Sequence, residues 1–155
     1  MITGNLGRLS RAFLKTPQEH AMSNFDAFLE IRRYAAQAYV NGQAGPLDQM
    51  AATACPASFF PPHGGHEEGA YRVADIYARD AAAFAEGGET TLEVLHSDSV
   101  GDLAYWTGLQ HAKVRIAGHD EPVEMHLRVT EVFRHEDGAW KLIHRHADPL
   151  AEPKN

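Results

Sequence analysis

Cysteine is nearly absent from this chain: Cys55 is the one thiol in 155 residues. A lone thiol closes no internal disulfide, so stability has to come from a packed core, which a chain of this length can bury. Such usage fits a reducing compartment, and a cytoplasmic location is expected from it. Long apolar runs are missing too. None approaches the roughly 18 residues that a membrane-spanning helix needs, so no membrane partner is expected. Positive charge is in deficit, with 14 lysines and arginines against 21 acids and a formal net charge of −7. Such a balance repels nucleic acid, and no basic run in the body of the chain offsets it. There is no Gly-rich phosphate loop, nucleophile elbow, Cys-x-x-Cys or His-Glu-x-x-His, and Ser, Cys and His form no recognisable nucleophilic arrangement. Internal repeats, low-complexity tracts and a second-domain linker are also lacking. One domain is expected over residues 16–149, with a tail at 150–155. Residues 1–15 form an arm carrying Arg8, Arg11 and Lys15 and no acid. The arm lacks the continuous apolar stretch of a secretory signal, and Leu6, Leu9 and Phe13 mark it as a short segment or helix docking on the body.

What the chain does contain is helical signal first and strand signal afterwards. Thr16-Pro17-Gln18-Glu19 has the cap, first-turn proline and reciprocal glutamate of a helix start. Phe25, Phe28, Leu29, Arg32, Ala35, Ala36 and Tyr39 follow at helical spacing, and Asn41-Gly42 supplies the stop. A shorter helix is expected over 46–54. Residues 58–65 read as a short extended piece and a turn, because Pro61-Pro62 and Gly64-Gly65 break a helix. A further helix is expected over about 67–86, with Gly87-Gly88 ending it. Strand character then predicts strands over 92–96, 103–116, 124–134 and 140–146, the last two joined by an Asp137-Gly138 turn. Helices followed by an antiparallel meander indicate an α+β domain with helices on one sheet face.

Three constellations carry chemistry. His144, His146 and Asp148 alternate along one side of a strand; imidazole and carboxylate suit zinc or iron. Histidines hydrogen-bonding across a sheet interface account for the pattern better, and no metal or cofactor is expected. His63-Gly64-Gly65-His66-Glu67-Glu68 is a flexible cluster from which His63 could reach a pocket mouth as acid or base; a solvated turn and helix cap is the competing reading. Glu131 and Arg145 weigh most. Leu127, Val129, Glu131 and Phe133 share one face of a strand, and an odd-residue turn at Asp137-Gly138 would put Arg145 on that face. A carboxylate and a guanidinium in an apolar concavity should pair, for structure or for a ligand.

The terminal pattern Thr130-x-Val-Phe-x-x-x-Asp-Gly-x-Trp-x-x-x-His-x-His146 resembles the nuclear transport factor 2-like superfamily, in its SnoaL-like and ketosteroid isomerase-related branch. So do the long first helix closing at Asn41-Gly42, and Phe59-Phe60-Pro61 followed by Gly69 at the opening of a third helix. The terminal pattern is also similar to the association domain of calcium/calmodulin-dependent kinase II. The resemblance implies a cone-shaped α+β barrel, a curved antiparallel sheet wrapped around three helices, commonly a homodimer, with a small-molecule pocket or enzyme site at the open end. The arginines lining the association-domain pocket fall at Thr107, Glu131 and Ala147, so that pocket is not reproduced. The isomerase base falls at Phe60-Pro61, where neither residue takes a proton. Its second carboxylate falls near Thr130 or Glu131 and its phenolic donor near Tyr34.

Two functions are therefore expected to compete. One is a small-molecule-binding cone, with isomerase, cyclase or dehydratase-type chemistry on a compact apolar substrate. Glu131, Arg145 and His63 would be its catalytic groups, and Tyr34, Phe59, Phe60, Tyr77, Tyr105, Thr107 and Val129 its pocket lining. The other is a non-catalytic dimerisation or accessory module whose cone is filled by Phe59, Phe60 and Tyr77.

Overall fold

The computed structural model describes residues 24–152. The expected arm at 1–15 and the helix start at 16–19 lie outside the described residues. Helix α1 spans Asn24–Tyr39 and buries Phe25, Phe28, Leu29, Arg32, Ala35 and Ala36, which recur every three to four residues. It closes through Gly42, whose amide donates to Tyr39 O and whose φ is 82°. Helix α2, Gly45–Met50, has proline in its first turn. Two short strands follow, β1 at Ser58–Phe60 and β2 at Glu67–Glu68, then α3 at Ala70–Ala82. Four long strands complete the chain: β3 Phe84–Val100, β4 Leu103–Ile116, β5 Val123–Glu136 and β6 Ala139–Pro149. No helix among the described residues is long and apolar enough to cross a membrane.

The α+β class holds, but the closed, wholly antiparallel barrel does not. The strands form one open sheet in the order β2-β1-β6-β5-β4-β3, and β1 runs parallel to β6, so the sheet is mixed. Two physical reasons keep it open. At one edge, β2 is two residues long and offers few groups for a further ladder. At the other, the free edge of β3 is already occupied by side chains. Asn41 Oδ1 accepts from the amides of Gly87 and Gly88, Asn41 Nδ2 and Gln37 Nε2 donate to Gly88 O, and Gln37 Oε1 accepts from Thr90 N. These bonds occupy the edge of β3 at Gly87, Gly88 and Thr90, where a closing strand would have to begin.

The same contacts correct the expected end of the third helix. Gly87-Gly88 do not stop a helix; they lie inside β3, which begins at Phe84. The ladder to β4 skips between Ala85 and Glu89. A Cβ on Gly88 would stand 2.5 Å from Val40 O, so only glycine lets the end of α1 approach this closely. Glu67–Glu68, expected in the helix, instead pair with β1.

Asp137 (φ 49°) and Gly138 (φ 81°) make a two-residue turn with both φ positive, the I′ pattern that matches strand twist. It pairs Glu136 with Ala139, and an unbroken ladder from there would set Glu131 opposite His144. A bulge at Ile143 intervenes: Phe133 pairs with Leu142, but Val132 pairs with His144 and Glu131 with Arg145. The extra residue that puts Arg145 on the inner face is therefore in the strand rather than in the turn.

Candidate functional site

Glu131 is fully buried on the inner face of the sheet and accepts four hydrogen bonds. Arg32 of α1 grips it with two, Nε to Oε2 at 2.9 Å and Nη2 to Oε1 at 2.7 Å. Arg145 Nη1 adds a bond to Oε1 at 2.5 Å, and Trp106 Nε1 one to Oε2 at 2.7 Å. Burial alone would push the Glu131 pKa up. The adjacent Arg32 and Arg145 guanidiniums and the bonds from Arg32 and Trp106 override it and hold it at about 2. Arg32 is raised above its ordinary value: burial opposes its charge, and Glu131 more than compensates. The network continues from Arg145 Nη2 to Gln110 Oε1 at 2.7 Å and from Gln110 Nε2 to Thr90 Oγ1 at 3.2 Å.

This cluster forms the floor of a cavity of about 440 Å³ between the helices and the sheet. Most of its wall is apolar, from Tyr39, Val40, Leu47, Phe59, Val114 and Leu127 among others, and alanines at 36, 83 and 112 leave the space unfilled. Two buried polar atoms on residues lining it have no protein partner, Arg32 Nη1 and Tyr77 Oη. Burial pushes the phenol pKa of Tyr77, and likewise that of Tyr39, well above the usual tyrosine value, so both are neutral. The exposed His63 and the half-buried Asp80 also line the cavity. Burial raises the Asp80 pKa, while His63 and then Arg79 oppose the rise.

Residues 31–152 match the SnoaL-like domain. The chain belongs to the SnoaL-like family. No curated protein sequence matches it. Among solved structures it is similar to a nuclear transport factor 2-like superfamily protein of Salmonella enterica (17% identity, 84% of this chain and 92% of that one, TM-score 0.69). A dehydratase candidate of the NTF2-like family from Streptomyces avermitilis is 21% identical over 81% of this chain and 99% of its own, TM-score 0.63. The association domain of C. elegans CaMKII is 14% identical over 80% and 94%, TM-score 0.64. At these identities the likeness is one of fold.

In this SnoaL-like domain Arg145, His63, Phe59 and Tyr77 stand at the cavity, and Glu131 lies beneath Arg145 and Arg32. Val129 is buried in the core. The other expected lining residues are elsewhere. Tyr34 is 64% exposed, on the side of α1 opposite its buried stripe. On β4 the even-numbered Trp106 and Gln110 face inward, so Tyr105 and Thr107 face outward. Tyr105 Oη meets His96 Nδ1 at 3.2 Å, and Thr107 Oγ1 donates to Val129 O. Phe60 alternates with the inward Phe59 and packs edge-on against His144 and His146 on the outer face.

Asp148 is held by Nε and Nη2 of Arg128, at 2.8 and 2.7 Å, and His144 Nδ1 by Ser58 Oγ at 2.7 Å. Among the described residues no group of three His, Cys, Asp or Glu is placed to hold a metal ion. Arg32, Gln110 and Asp80 are the site residues that sequence reasoning did not single out. A signal existed for Arg32 alone: an arginine inside an otherwise apolar helical stripe has to find a buried partner.

Proposed function

We propose that this protein binds a small, mostly apolar molecule carrying an oxygen function, and moves a proton on it in isomerase, cyclase or dehydratase-type chemistry. The cavity carries this reading: about 440 Å³, apolar walls and a convergent polar floor, within the usual range for small-molecule sites. The accessory-module reading needs Phe59, Phe60 and Tyr77 to fill the space. Phe60 packs on the opposite face of the sheet, which favours the ligand-binding reading. The molecule's oxygen function meets the floor at Arg32, Tyr77 and Arg145, and the rim pair Asp80 and His63 takes and returns the proton. Glu131, saturated by four donors and held ionised, is a positioning residue for the two guanidiniums rather than a base.

A thermal-shift screen of compact ketones, lactones and carboxylic acids tests binding. A subset should raise the midpoint of the wild type and leave Ala112→Phe, which fills the cavity, unmoved. No shift across the panel, or equal shifts in the filled variant, refutes the reading. Proton NMR in D₂O tests chemistry: the α-protons of a bound ketone should exchange with solvent, and Asp80→Asn should stop the exchange. Asp80 accepts a proton only when ionised, and burial raises its pKa. The rate should therefore climb with pH through a value above the ordinary aspartate range. The reading includes a homodimer through the outer sheet face around Phe60 and His144; sedimentation at micromolar concentration giving a monomer would remove that part.

A further inference from the structure

The charges in the cavity floor do not cancel. Arg32 and Arg145 are cations, Glu131 is the one anion they share, and Gln110, Trp106, Tyr39 and Tyr77 are neutral. One positive charge is left over in a space walled by aliphatic and aromatic carbon. The carboxylate that lines the cavity, Asp80, is half-buried, and no hydrogen bond joins it to either guanidinium. Burying an uncompensated charge is costly, and leaving a guanidinium N–H without an acceptor adds to the cost. The unused donors are also specific. Arg32 has committed Nε and Nη2 to Glu131 and keeps Nη1, while Tyr77 keeps its hydroxyl; both atoms are fully buried.

We propose that the ligand is a compact apolar acid whose carboxylate accepts from Arg32 Nη1 and Tyr77 Oη. The proposal rests on the reading that the cavity binds a small molecule, and it names the chemical class. A carboxylate supplies the missing negative charge and two acceptor oxygens in one group, and charge-assisted hydrogen bonds are the strong ones. A neutral ketone or amide would satisfy the donors and leave the excess charge. Inorganic phosphate would satisfy the charge and waste the apolar wall. With the carboxylate on the floor, the apolar body points toward the rim, where Asp80 and His63 stand.

Isothermal titration with matched probes tests this: cyclohexanecarboxylate, cyclohexanecarboxamide and inorganic phosphate at pH 7. The carboxylate should bind at least about tenfold more tightly than the amide, or about 1.4 kcal/mol, and phosphate should bind more weakly than both. Tyr77→Phe removes one donor and no charge and should cut carboxylate affinity several-fold, and amide affinity less, because the bond to an anion is the stronger one. Arg32→Gln should abolish the preference; because it also strands part of the Glu131 network, the Tyr77 variant serves where Arg32→Gln fails to fold. Equal or tighter amide binding, or phosphate binding tightest, overturns the carboxylate assignment. In the first of these cases, sensitivity to Ala112→Phe shows that the cavity still binds small molecules. Failure of all three probes overturns the proposal, and the wider thermal-shift panel then decides whether the binding reading falls with it.

Discussion

The concave side of the sheet has two ends, built from the same helix and the same strands, and they differ in what fills them. At one end Phe25, Phe28, Phe133 and Trp140 interlock, with ring centroids 5.1–5.9 Å apart and mostly tilted or edge-on, and Trp140 Nε1 donates to Asn24. At the other end the facing positions are Ala36, Ala83 and Ala112, and a cavity remains. The Arg32–Glu131–Arg145 cluster lies between them. Rings at one end fix α1 on the sheet, so the other end can stay hollow without the helix collapsing onto it. Stability and binding are in this way assigned to different stretches of one helix: Phe25–Leu29 for the first, Arg32–Tyr39 for the second.

Glu131→Ala is the largest expected disruption, because it strands two buried guanidiniums and an indole N–H together. Urea unfolding should show a loss of up to about 5 kcal/mol. A value under 1 kcal/mol would mean that the boundary between the two ends is not held by charge. Phe133→Ala, wholly at the packed end, should cost about 3–5 kcal/mol while the carboxylate preference of the surviving fold stays intact. If binding fell as steeply as stability, the division of labour would be wrong.

Acid titration separates the ends in another way. Glu131 has a pKa of about 2 in the folded state against an ordinary value of 4.5. A depressed carboxylate contributes stability that is fully present above its unfolded value and is lost as pH falls through the folded one. The cluster should therefore lose about 3 kcal/mol between roughly pH 4.5 and 2. In Glu131→Gln that segment of the pH–stability curve should be flat; an unchanged slope would assign the acid sensitivity to other carboxylates. Asn41→Ala, which releases the edge of β3, should cost about 1–2 kcal/mol by the same urea measurement. Ala112→Phe should change stability by no more than about 1 kcal/mol, with either sign, and this is the sharpest contrast with Phe133→Ala.

Much of this was legible in the sequence, and the failures have physical causes. The stripe of α1, the place of the Asp137-Gly138 turn and the inward face of β5 followed from periodicity and turn chemistry, because each is a local rule, but the odd residue expected in that turn lies in β6 instead. Tyr105 and Thr107 were expected at the cavity although strand alternation, anchored on Trp106, sends them outward. Gly87-Gly88 looked like a helix stop because two glycines disfavour a helix; the same absence of Cβ also admits the end of α1 against a strand, and only the tertiary contact with Val40 decides between the two. That the sheet stays open was not legible at all. Side chains of Gln37 and Asn41 take the place of a neighbouring strand at the start of β3, and no local pattern encodes that. The hollow itself left a faint trace, in alanines at positions where the packed end has rings.

The bulge at Ile143 has a consequence for how this site can change in descent. A ladder without it would present His144 and His146 to the cavity and turn Arg145 outward, beside Phe60. Straightening the strand with its length kept would thus exchange an anion-seating guanidinium for a pair of imidazoles, whereas deleting Ile143 together with the bulge would leave Arg145 opposite Glu131. Relatives that keep the length of this strand but pair it without the bulge are the ones to be expected to bind a different class of molecule.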